Sequence, residues 1–394
     1  MNDCDTLAGD TAFDFDTIID RRNSNSSKWR LYGEDVLPMW VADMDFKSPP
    51  AIIHALHERV EHGVFGYEHH APGLSELIVD RLARVFDWHV QPEAIVFTPG
   101  VVTGFNLAVR ALVAPDQGLL IQTPVYGPIQ NAAKTAGVLD QSMELTRETD
   151  GRYTVDMDRF EAAVTDQTRL FLLCSPHNPV GRVFTREELQ TMGEICLRHD
   201  LMICSDEIHG DLTFSGHPHT PIAAINQELE ARTITLMAPS KTYNIAGLDC
   251  GFAVIPNPEL RSQYNAARGG LVGLPNLMGY TAARAAYTEG EPWLAAVLRY
   301  LEANRNFTVA YVRKHMPELH IAGPEGTYLA WIDCRDADLP DSPRKFFLEK
   351  GKVALNNGTS FGPSGEGFVR LNFGCPRALL EEGLGRMRAA LENR

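Results

Sequence analysis

The chain has 394 residues, enough for two or three domains at ~150 residues each. Hydrophobic residues make up 44% and charged residues 22%, the usage of an ordinary globular protein. A formal net charge of -15 argues against nucleic acid or an anionic membrane as a general partner, because both would repel it. No apolar run approaches the ~18 residues of a membrane span, and the acidic start Met1-Asn2-Asp3-Cys4-Asp5 has no signal-peptide core. The seven cysteines are odd in number and form no Cys-x-x-Cys pair. Several sit in apolar runs, so they read as core residues of a cytoplasmic protein.

Residues 1 to about 30 are polar and read as a loosely ordered arm. Pro38 to Phe46 mixes apolar and acidic residues, and Pro49-Pro50 can open a helix with Ile53, Leu56 and Val60 at helical spacing. From about residue 94 the pattern repeats as strand, turn, helix. Ala94-Ile95-Val96-Phe97 is a strand broken by Thr98-Pro99-Gly100. Leu119-Leu120-Ile121 ends in Thr123-Pro124, and Leu170 to Leu173 ends in Ser175-Pro176-His177-Asn178-Pro179. Thr185 and Glu188 have capping-box spacing and open a helix through Leu189, Met192 and Cys196. Leu201 to Cys204 ends in Ser205-Asp206-Glu207, and Thr233 to Met237 precedes Ala238-Pro239-Ser240-Lys241-Thr242. Apolar strands alternating with amphipathic helices predict an α/β domain built on a mostly parallel sheet. After Glu291 the texture becomes that of a smaller α+β domain, with strands at Tyr328 to Ile332 and Phe368 to Asn372 and a closing helix from Leu379 to Leu391. The expected division is 1–50 joining the small domain, 51–290 as the large domain and 291–394 as the small domain.

Four strand-end turns carry polar groups, and a parallel sheet gathers such turns on one edge. Lys241 is an amine able to condense with an aldehyde cofactor such as pyridoxal 5'-phosphate; alone, it reads first as a solvated lysine in a turn, because Ser-Lys-Thr is common. Asp206, directly after an apolar strand, suits a protonated pyridine nitrogen. Asn178 can donate to the ring's phenolic oxygen, and Tyr126 can stack on the ring. The N–H groups of the Gly100-Val101-Val102-Thr103 helix start suit a phosphate. Arg370, within the apolar run Phe368 to Asn372, expects an anion: a substrate carboxylate or the partner in a structural salt bridge. His217 and His219 flank Pro218 in a turn and are not read as metal ligands. His209 could tune Asp206 by hydrogen bonding or be structural.

The order Asn178, Asp206, Lys241, Arg370 resembles the fold-type I pyridoxal-phosphate enzymes. The stretches Pro38 to Phe46, Thr98 to Val102, Ser175 to Arg182, Ser205 to His209, Ala238 to Thr242 and Phe368 to Gly374 resemble their cystathionine β-lyase branch. The similarity runs from about Phe13 to the end. It implies pyridoxal 5'-phosphate as cofactor and a homodimer with shared active sites. It also implies that Tyr67 reaches the partner's cofactor phosphate and, with Asn178 and Arg370, the substrate. The implied reaction is carbon–sulfur β-elimination on an L-amino acid such as cystathionine. Lys241 takes the α-proton; Asp206 and Tyr126 support the cofactor ring. An aminotransferase shares the same residues and is the main alternative. A regulatory or binding protein on this fold is the second. Aminotransferase relatives carry a phosphate-binding arginine eight residues after the lysine. Here Asp249 stands there and is expected to point away, leaving the phosphate to the helix start, Ser240 and the partner's Tyr67.

Overall fold

A computed structural model describes residues 13–67, 69 and 72–394. Cys4 and His70 lie outside the described residues.

A seven-stranded sheet organises the large domain. Its order is Ile95–Thr98, Gly251–Val254, Thr233–Met237, Met202–Asp206, Thr168–Cys174, Gly118–Thr123, Leu139–Glu144. Every pairing is parallel except those of Gly251–Val254, which runs antiparallel to both neighbours. The strands alternate faces as period-two geometry demands. Leu170, Leu172 and Cys174 pack with Phe105 and Val109 of the helix Val101–Leu112 on one face. Phe171 and Leu173 pack with Leu189, Met192 and Ile195 of the helix Arg186–Arg198 on the other. Burial on both faces explains why these strands read as unbroken apolar runs. The Arg186–Arg198 helix starts with the full capping box of Thr185 and Glu188.

Two glycines let the site elements approach one another. A Cβ on Gly104 would lie 2.8 Å from a Leu236 methyl, so the helix Val101–Leu112 rides directly on the strand that leads to Lys241. A Cβ on Gly251 would come within 3.3 Å of Gly100 Cα, at the start of the same helix.

A second sheet, all antiparallel, has the order His320–Ile321, Leu329–Asp333, Phe368–Asn372, Asn356–Asn357. The long helix Glu291–His315 and the helix Arg377–Glu392 pack with it. Within the N-terminal segment, Leu37–Pro38 pairs in parallel with Val353–Ala354. Residues 13 to 30 are not the loose arm expected from their polarity. Phe15 and Trp29 are buried in the core. Lys28 is 2% exposed and binds Asp45 at 2.6 Å, while Arg21 binds Asp43 at 2.6 Å. Charges that look solvated in sequence are here paired, Lys28 with Asp45 in the interior and Arg21 with Asp43 half-buried, so polarity alone gave the wrong answer.

Candidate active site

The carboxyl ends of the central strands and the N-terminal segment enclose a cavity of about 620 Å3. Gly100, Val101, Val102, Tyr126, Asn178, Asp206, Ser240, Lys241 and Arg370 all line it. One expected site residue is absent from the wall: Tyr67 is fully exposed and belongs to no described part of it.

Gly100 occupies the N-cap of the helix Val101–Leu112, with no capping side chain. The first backbone N–H groups of that helix therefore carry no side-chain acceptor, which is the arrangement that binds phosphate. Asp206 ends its strand and is buried. Its Oδ1 accepts from the Ile208 N–H at 3.2 Å. Burial raises its carboxyl to about 7, and Glu207 adds to that while Lys241 opposes it. Lys241 sits on the short helix Pro239–Thr242 immediately after its strand, and its Nζ donates to Ala42 O at 2.7 Å. Burial lowers its amine to about 8, with Arg370 pushing the same way and Asp43 and Asp206 opposing. Burial also raises the Tyr126 phenol, and Asp206 raises it further.

Arg370 decides between its two readings. It is buried on the strand Phe368–Asn372, where Nη1 donates to Asn178 Oδ1 at 2.9 Å and Nη2 to Trp40 O at 3.0 Å and Asn356 Oδ1 at 2.6 Å. Its guanidinium lies 4.8 Å from the Phe361 ring centre, and its Nε has no partner. Among the described residues no carboxylate pairs with it. Neutral acceptors offset part of the cost of burying the charge, at roughly 1.5–3 kcal/mol for each bond to a charged group. The charge itself stays uncompensated, and burial pulls the guanidinium down to about 10. Among the described residues Arg370 therefore takes part in no structural salt bridge.

One expectation about neighbours fails, and the two readings of His209 are separated. Asp249 does not point away; it is exposed and lines the cavity. It closes the 3-10 turn Ala246–Leu248 at φ 50°, in the left-handed region. His209 makes no hydrogen bond to Asp206. It packs edge-on against Tyr328 with its Nδ1 buried and unpartnered, and burial together with Lys241 and Arg370 holds it neutral, at about 3. His219 instead pairs with Glu207 at 2.8 Å, both buried, and His217 is 3.9 Å from Glu325. Among the described residues no group of three or more His, Cys, Asp or Glu is arranged for a metal ion.

Some wall residues escaped the sequence reading: Trp40, Val41 and Ala42 from the N-terminal segment, Cys174 and Asn356. Cys174 was legible in principle, since it pairs in register with Asp206 on the neighbouring strand. Ala42 was not, because it contributes only a backbone carbonyl.

An uncapped helix start, a buried carboxyl, a buried amine and an unpaired arginine around one cavity fit pyridoxal 5'-phosphate and an amino acid together. Residues 34–387 match the family described as "Aminotransferase class I and II". The chain belongs to this family. It is 42% identical to cystathionine beta-lyase PatB of Bacillus subtilis (strain 168), over 96% of this chain and 99% of that protein. The solved structure of OvoB superposes with a TM-score of 0.92 at 46% identity, covering 97% of this chain and 100% of OvoB. Cystalysin from Treponema denticola, whose structure contains pyridoxal 5'-phosphate, superposes with a TM-score of 0.93 at 36% identity, covering 97% of this chain and 99% of cystalysin.

Proposed function

We propose that the protein is a pyridoxal-phosphate-dependent carbon–sulfur β-lyase that cleaves L-cystathionine or related cysteine S-conjugates to pyruvate, ammonia and a thiol. The observation that carries this reading is Arg370, a buried guanidinium without an acid partner on the same cavity wall as Lys241 and Asp206. Bound pyridoxal phosphate would supply an electron sink for the carbanion at the substrate's α-carbon.

The chain's own residues have separate tasks. Arg370 holds the substrate carboxylate through its fork, with Asn178 and Asn356 fixing the fork's plane. That anchor sets which α-carbon bond faces Lys241. Lys241, with its amine near 8, reaches the neutral form close to neutral pH and takes the α-proton as general base. The sulfur leaves as thiolate, and the enamine left behind takes up water to give pyruvate and ammonia. Asp206 would hold the proton on the cofactor's ring nitrogen, a cation that supplies the counter-charge its apolar strand denies it. Val101, Val102 and Ser240 would hold the phosphate, and the Tyr126 ring the cofactor's face.

Elimination and amino transfer use the same proton-abstracting residues, so the similarity to PatB is what favours elimination. Incubation with L-cystathionine, and separately with an amino acid plus a 2-oxo acid, distinguishes them. Pyruvate and thiol release in the first and no amino transfer in the second is the expected result; amino transfer alone would refute the lyase. Lys241→Ala should abolish turnover and the visible absorbance of the bound cofactor.

The proposed working form is a cytoplasmic homodimer. Its support is an apolar surface left uncovered on one chain: Ile53 and Val60 of the helix Pro50–His62, with Val64, Phe65 and Tyr67 just beyond it. A second copy covering this surface would bring Tyr67 to the neighbouring site. Sedimentation of the intact enzyme at twice the chain mass is the expected result. The six described cysteines are all free and buried, which suits a reducing compartment.

A further inference from the structure

The main chain from Trp40 to Phe46, whose first three residues line the cavity, offers a series of carbonyl oxygens to side chains near the site. Trp40 O accepts from Arg370 and Val41 O from Asn372. Ala42 O accepts twice, from Lys241 Nζ at 2.7 Å and from Tyr328 Oη at 2.9 Å. Asp43 O accepts from Asn372 Nδ2 at 2.7 Å, and Met44 O and Phe46 O accept from Asn244 Nδ2 at 2.9 and 2.8 Å. The two asparagines follow the two reactive cations along the chain. Asn244 lies one turn after Lys241 and Asn372 two residues after Arg370, on the same face of its strand. Each segment that delivers a charged group to the cavity thus also grips the carbonyl row that receives it.

We infer that the Ala42 carbonyl is the dock of the Lys241 amine whenever that amine is free, and that Tyr328 is a positioning residue that sets how tightly the dock holds it. The inference rests on reading Lys241 as the reactive amine. A carbonyl oxygen has two lone pairs, and Tyr328 occupies one while Lys241 occupies the other. When Lys241 is bonded elsewhere, the Tyr328 hydroxyl keeps a buried acceptor satisfied, so release of the amine does not orphan it. The same hydroxyl points its hydrogen at the oxygen that Lys241 uses. That weakens the pull of this oxygen on an ammonium more than on a neutral amine, and so favours the form that can accept a proton.

The other groups facing Lys241 do not perform this task. Asp43 is the nearest acid on the N-terminal segment, but its carboxylate is bound at 2.6 Å by Arg21 and lies 3.5 Å from Lys28. Asp206 acts on it from the sheet and Arg370 from the strand Phe368–Asn372, while His209 is held neutral. The direct partner of the amine is therefore a neutral carbonyl, where a carboxylate would keep it protonated.

The test is the pH dependence of Lys241 acylation in the full-length protein before cofactor is added, read by mass spectrometry of the Lys241 peptide. Tyr328→Phe keeps the ring that packs on His209 and removes only the hydroxyl. The labelling midpoint should rise by about 0.5 to 1 in pH, and the rising limb of the kcat profile of the holoenzyme should move the same way. A 3-fluorotyrosine placed at position 328, a stronger donor of nearly the same shape, should lower both. Opposite movements in the two variants separate a hydrogen-bond role from loss of packing. Should Tyr328→Phe fail to fold, the fluorotyrosine form decides alone. An unmoved midpoint in folded protein, or movement in the same direction in both, overturns the inference. If Lys241→Ala retained turnover, the functional reading would fall, while the labelling result would still judge the dock.

Discussion

Two buried arginines, Arg182 and Arg370, are handled in opposite ways. Both are almost fully buried. Arg182 donates to Glu325 at 2.6 Å and to both oxygens of Glu188 at 2.7 and 2.6 Å, so acids surround it. Arg370 finds only amide and carbonyl oxygens, plus the face of Phe361. A charge with its counter-charge in the fold contributes to holding elements together; here it ties the capping box of the helix Arg186–Arg198 to Glu325, just ahead of the strand Leu329–Asp333. A charge without one is a site waiting for its counter-charge from outside. Asp206 belongs with Arg370 and Asp45 with Arg182, by the same criterion.

Exchanging alanine for each arginine should break this comparison most visibly. Arg370→Ala should lower kcat/KM by roughly 10²- to 10³-fold while melting close to the wild type, because no acid is left stranded. Arg182→Ala strands Glu325 and Glu188 and should lose about 3–5 kcal/mol of stability, measured by denaturant unfolding, while the folded fraction keeps its KM. Asp206 adds a pH axis. Its carboxyl lies near 7 in the folded chain against an ordinary value of 3.8, so across that window the folded state holds a proton that the unfolded state has released. This group's contribution to stability is therefore present below 3.8 and falls as pH rises toward 7. Without cofactor, Asp206→Asn should remove that decline, so that its melting temperature gains on the wild type by a few degrees between about pH 4.5 and about pH 7.5. Tyr126→Ala should weaken cofactor binding by about 2- to 10-fold in equilibrium titration, the worth of one ring contact. At the bottom of the scale, Arg232 and Asp200 form a 2.6 Å ion pair on the surface. Asp200→Asn, which keeps a residue suited to the left-handed backbone there (φ 55°), should leave the melting curve unchanged, since solvent screens that pair.

Much of the site was readable from local pattern. An apolar strand followed by Asp206, another followed by Lys241, and glycine before the helix at Val101 each announce themselves within a few residues, because strand ends and helix starts are local events. The antiparallel direction of Gly251–Val254 carried no such signal, as direction depends on which neighbours a strand meets. Residues 13 to 30 were misread for the opposite reason. Their charges looked solvated, and only the distant Asp43 and Asp45 make burial tolerable.

The amino-acid order alone determined the strand-and-helix alternation, the chemical types at four sheet-end turns and an arginine in an apolar strand that had to meet some anion. Only tertiary structure decided that no acid among the described residues supplies it, because the groups around Arg370 come from positions as far as 192 and 330 residues away. The placing of Asp249 on the wall and the Ala42 carbonyl beneath Lys241 was settled at the same level. A backbone oxygen has no residue type to read, so its role exists only once the fold has brought the amine within 2.7 Å of it.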